Sequence, residues 1–64
     1  VPVDINNATE AELLTIPGVG DQMVDEILEY RPFTNLEHFR KEIGKYVDAA
    51  QLVEYEKYIV INHN

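Results

Sequence analysis

The clearest chemistry in the residue types of this chain lies in Ile16-Pro17-Gly18-Val19-Gly20. Two glycines flank an apolar residue directly after a proline, where two helical patterns meet. Such a turn reverses the chain tightly enough to pack two helices as a hairpin. It also aims backbone N–H groups outward at the start of the second helix, where the dipole favours an anion.

Other groups have weaker spacing. Arg40, Lys41 and Lys45 form the one basic cluster. They could supply charge to a polyanion, or they could simply pair with Glu37, Glu42 and neighbours across the surface, each pair contributing under about 1 kcal/mol. Tyr30, Tyr46, Tyr55 and Tyr58 could stack on bases. Three of them fit a buried helical spacing, which favours core packing with the hydroxyl outward. Tyr46 falls in a turn instead and is the ring expected to be exposed. His38 and His63 lie far apart, without cysteine or a metal-ligand spacing, so no metal site is expected. His38 is expected at a surface or rim and His63 in the tail. Carboxylate pairs such as Asp25-Glu26 lack an activated partner, and no nucleophile–base set or phosphate-binding loop is present. The expectation is a non-enzyme without a cofactor.

The elements that position these groups follow from caps and periodicity. Val1, Val3 and Ile5 alternate with polar residues, predicting an extended lead-in, and Asn6-Asn7 a turn. Thr9-Glu10-Ala11-Glu12 is a capping box opening a helix over 10–16, with Leu13, Leu14 and Ile16 inward. Pro17 stops it. A second helix runs from Gly20-Asp21 to about Arg31; Val24, Ile27, Leu28 and Arg31 share one face beside Met23. Pro32 ends it. Thr34 to Glu37 read as a second capping box before a helix over 35–43 burying Leu36, Phe39 and Ile43, with Gly44 as a left-handed stop. Asp48 starts a helix over 49–57 with Leu52 and Tyr55 inward. Tyr58-Ile59-Val60-Ile61 predicts an extended tail against Val3 and Ile5.

Sixty-four residues suit one small all-α domain with extended ends, its hairpins at 9–31 and 34–58. A chain this short buries only about 60% of its unfolded surface, so a small core is expected rather than a deep cavity. Hydrophobic residues make up 45%, enough to fold. No apolar run approaches the roughly 20 residues of a membrane span. The chain opens Val1-Pro2 without Met, as a processed product or excised fragment would; the sequence leaves the compartment unknown, cytoplasmic or exported if a signal peptide has been removed. The net charge is −7 and uneven. Residues 1–32 hold seven acids and one base, whereas 33–64 hold five acids and four bases. That balance counts against strong binding to a polyanion, whose binders depend on Lys and Arg.

The two halves repeat. Val24, Ile27 and Tyr30 stand at +4, +7 and +10 from Gly20, as Leu52, Tyr55 and Tyr58 do from Asp48. With this duplication the chain resembles the helix-hairpin-helix superfamily. Val3-Asp4-Ile5-Asn6-Asn7-Ala8-Thr9, Glu12-Leu13, Ile16-Pro17-Gly18-Val19-Gly20 and Tyr30-Arg31-Pro32-Phe33 resemble the competence ComEA-type domain, which binds DNA without sequence preference. More distantly, the lead and turn are similar to the small extrinsic lumenal protein of photosystem II, which docks on protein. The resemblance implies that the amides of Gly18, Val19 and Gly20 hold a phosphate, with Val19 as a plug into the core. The family's basic position falls on Gln22, after Asp21, and its small residue four beyond the second glycine on Val24. In the second turn Tyr46 and Asp48 replace two glycines, but Arg40, Lys41 and Lys45 lie beside it. Two functions follow: a weak, salt-sensitive binder of the DNA phosphate backbone, or a protein-docking module acting through the acidic first half.

Overall fold

The computed structural model describes residues 2–62; the expectations for Val1 and His63 lie outside them. The chain runs β1 (Val3–Asp4), α1 (Glu10–Leu13), α2 (Asp21–Tyr30), α3 (Leu36–Ile43), α4 (Ala49–Glu56) and β2 (Ile59–Val60). It is all-α apart from the short parallel pairing of β1 with β2, in which Val3 faces Ile59 and Asp4 faces Val60.

Side-chain caps decide where three of the helices begin. Thr9 Oγ1 accepts from the Glu12 amide at 3.2 Å, and Glu12 accepts from the Thr9 amide at 2.8 Å. The reciprocal pair satisfies two donors that a helix start leaves open. α1 is shorter than the expected 10–16. After Leu13 the amides of Thr15 and Ile16 bond three residues back, at 3.1 Å each, as the chain tightens toward Pro17.

α3 starts one residue later than its predicted box. Asn35, not Thr34, is the cap: its side chain accepts from the His38 amide at 2.8 Å. The reach-back falls to His38 rather than Glu37, with Nδ1 accepting from the Thr34 amide at 3.0 Å. Asp48 caps α4 by accepting from the Gln51 amide at 2.9 Å. Gly44 is a second correction. Its φ of −62° is right-handed, so it is not a left-handed stop. Its glycine identity has a packing reason: a Cβ there would collide with the Arg40 carbonyl and meet Leu52 Cδ1 at 3.3 Å.

The core joins both hairpins. Leu13, Ile16, Val19, Met23, Val24 and Ile27 from the first half pack with Phe39, Ile43 and Tyr55 from the second. Ile5 and Ile59 close it from the terminal segments, as expected for the tail. Phe33, in the connection between hairpins, is fully buried and packs edge-on to Phe39 with centroids 5.2 Å apart. Three expected core residues are instead exposed: Leu14, Leu36 and Tyr58. Leu14 neighbours Leu13 on a helix of one turn, and only Leu13 and Ile16, three apart, can share its inner face. Leu36 is the first residue of α3 and overhangs the core. Tyr58 lies beyond the end of α4, where the helical spacing no longer holds.

Asn6 ties three segments together. Its Nδ2 donates to the carbonyls of Phe33 and Asn62, both at 2.9 Å, and its Oδ1 accepts from the Phe33 amide at 2.7 Å. Asp4 completes the clasp, accepting from the Asn6 amide and from the side chains of Asn7 and Asn62. Arg31, counted on the apolar stripe of α2, sends Nη1 to the Ala8 carbonyl at 2.8 Å. These bonds hold the lead before α1 against the end of α2, the connection after it and the segment after β2.

Candidate nucleic-acid interface

The first turn is shaped by Gly18, whose φ of +91° is the one positive value among the described residues. L side chains resist that conformation. A Cβ at Gly18 would also meet Gln51 Nε2 at 2.6 Å and Tyr55 Cε1 at 3.3 Å, so the turn lies directly on α4. The Tyr55 hydroxyl donates to the Gly18 carbonyl at 3.3 Å. Gly20 differs. Its φ is −108°, and a Cβ there would meet nothing within 4 Å. Of the two glycines of this turn, only Gly18 uses the positive φ that the residue type permits.

Gly20 is the N-cap of α2 and offers no capping side chain. α1, α3 and α4 each carry one. Among the described residues the amides of Gly20, Asp21, Gln22 and Met23 make no hydrogen bond, which leaves four donors at the positive end of a ten-residue helix; the Met23 amide is the one that a capping side chain takes in α1, α3 and α4. The Val19 amide is not one of these. It donates to the Ile16 carbonyl at 3.0 Å, closing the turn, so the expected cradle of Gly18, Val19 and Gly20 moves toward α2. Val19 is buried, as expected of the plug.

Two cations of the basic cluster are paired with acids of the second half. Arg40 forms a two-pronged pair with Glu56 of α4 at 2.8 and 2.7 Å. Lys45 pairs with Glu42 at 2.8 Å. Lys41 makes no ion pair among the described residues. These pairs hold Glu42 and Glu56 below the ordinary carboxylate range, chiefly through the hydrogen bonds from Lys45 and Arg40. All four ion pairs of the described residues lie between His38 and Lys57, so the acids of the first half carry no cation.

Tyr46 is exposed, as its turn position predicts. Its hydroxyl bonds that of Tyr30 at 2.9 Å, and Lys45 Nζ lies 5.4 Å from the centre of the Tyr30 ring. With Gly18 and Gln22, Tyr46 lines a cleft of about 260 Å³ between the two turns. The structure thus brings Gly18, Gln22 and Tyr46 to one place and sends Arg40 to another. Met23, Glu26, Val47 and Tyr55 also line this cleft. None of them was singled out as a site residue, since the helical pattern marks Met23 and Tyr55 only as core.

The chain matches the family described as the helix-hairpin-helix motif over residues 1–42, which takes in the lead, the first hairpin and most of α3. Helix-hairpin-helix motifs are in general nucleic-acid binding. No curated protein and no solved structure matches the chain. Among the described residues no helix is long and apolar enough to cross a membrane.

Proposed function

The chain belongs to the helix-hairpin-helix family, and from that premise we propose that it is a non-catalytic module binding the DNA phosphate backbone without base readout. Within the family the ComEA-type pattern is the nearer comparison. The observation that carries the reading is the open start of α2. Gly20 caps nothing, and four amides there, from Gly20 to Met23, have no partner among the described residues. A phosphate oxygen fits such a group of donors, and the helix dipole adds to the attraction. Within the basic cluster, Lys41 is the cation without an ion pair among the described residues. With Asp21 in the first turn, affinity is weak and falls by about one logarithmic unit per phosphate neutralised for each tenfold rise in salt.

An amide-resolved NMR titration with a short duplex and a short single strand, at low and then physiological salt, tests this. Salt-sensitive shifts at Gly18, Gly20, Asp21 and Gln22 are expected. An unmoved spectrum at low salt would remove the proposal.

A second reading is protein docking through the first half. It is favoured by one observation: the ion pairs of the described residues all lie in the second half, leaving the first-half charge uncompensated.

A further inference from the structure

The cleft between the turns has a chemistry of its own. Tyr55 and Met23 are each less than a tenth exposed and form its floor; Tyr46 and Val47 bring one wall from the second turn. The other wall is α2, where Gln22 and Glu26 stand four residues apart on one face. Glu26 forms no ion pair among the described residues. The exposed Tyr46 ring is held in place by the hydroxyl bond to Tyr30. That bond, partial burial and the nearby Glu26 carboxylate push the Tyr46 phenol above its ordinary value.

An aromatic wall, a carboxylate without an ion pair among the described residues, a side-chain amide and an apolar floor suit a flat cation with several donors. A guanidinium is such a group: it stacks on an aromatic face and donates two parallel bonds to a carboxylate. An ammonium lacks the flat face and the fork. Anionic groups meet Glu26, with Asp25 and Glu29 on the same helix. The cleft holds about eight water volumes, on the scale of one long side chain. The uncompensated first half draws cations toward it.

We propose that this cleft is a receptor for an arginine side chain presented by a basic segment of a partner protein. The site stands apart from the nucleic-acid reading, but it shares Gly18 and Gln22 with the turn. Partner and nucleic acid would therefore compete for this end of the molecule.

The test is a titration of the whole chain with a capped Gly-Arg-Gly peptide, followed by amide NMR, beside matched peptides carrying lysine or a neutral residue. Saturable shifts at Gln22, Glu26, Tyr46 and Val47, strongest for arginine, are expected. Glu26→Gln should weaken binding about tenfold, the scale of a lost charged hydrogen bond, while leaving the rest of the spectrum in place. Tyr46→Phe keeps the ring but loses its bond to Tyr30 and should weaken binding slightly, while Tyr46→Ala should lose it. Equal shifts with the neutral peptide, or binding unaffected by Glu26→Gln, would overturn the proposal. So would a single-stranded oligonucleotide that shifts these four residues more than the arginine peptide does, since the cleft would then be a base site.

Discussion

At the same step of the repeat the two hairpins do opposite things. The first enters its second helix through Gly18 and Gly20, with no side chain over the amides of α2. The second enters α4 through Tyr46 and Asp48, with no positive φ, and the Asp48 carboxylate takes the Gln51 amide, whose counterpart in α2, that of Met23, has no partner among the described residues. Charge follows the same division. The first half leaves its acids unpaired, while Arg40 and Lys45 are spent on Glu56 and Glu42 within the second. A duplicated unit has thus kept one open end and closed the other on itself. Cations near a turn do not make it a binding turn; what counts is whether the amides and the cations are already taken.

The largest expected effect comes from Gly18→Val. A positive φ and contact with Gln51 and Tyr55 together should cost about 2–3 kcal/mol, read as a fall in melting temperature. An unchanged melting point would mean that the open turn is not built on that glycine. Asp48→Ala removes the cap of the closed hairpin and should cost about 1 kcal/mol in denaturant unfolding. Gly20→Asp should act in the other direction. It copies the second hairpin's cap into the first at an extended φ with free space, and should gain roughly 0.5 kcal/mol while abolishing DNA-induced shifts at Gln22. Retained DNA binding in that variant would erase the distinction between the hairpins.

Acid titration gives the smallest effect. Glu42 and Glu56 are held low by Lys45 and Arg40; Asp4 is also held low, because hydrogen bonds from Asn7, Asn6 and Asn62 outweigh its partial burial. The unfolded chain therefore binds more protons as pH falls through the carboxylate range. The stability these groups add is present above their ordinary values and is lost as pH drops through the depressed ones. Glu42→Gln with Glu56→Gln should flatten that acid limb in unfolding measurements. An unaltered limb would place the acid sensitivity at Asp4.

Much of this was legible in the sequence, because the caps and the 3.6-residue pattern act locally. Thr9–Glu12, Pro17, Pro32 and Asp48 set boundaries that the structure keeps to within a few residues. What was hidden depends on three dimensions. Thr34 and Asn35 are both good caps, and only the placement of His38 chooses between them. A glycine announces freedom, not the sign of its φ, so Gly18, Gly20 and Gly44 could not be told apart. Phe33 sits in a connection without periodicity, yet it is as buried as Phe39. Arg40 reaches Glu56, sixteen residues away, rather than a neighbour on its own helix. The cleft is assembled from both halves, so neither half alone spells it out.

The β1–β2 ladder has a mechanical consequence. The strands are parallel and carry the two ends of the described chain, with Val3 donating to the Tyr58 carbonyl and Ile5 to that of Val60. A pull on the two ends draws the strands lengthwise past each other, so these bonds and the Asn6 bridges to Phe33 and Asn62 bear load together instead of opening one at a time. The fold is fastened at the point where tension along a longer chain would enter it, and the hairpins lie outside the direct line of force.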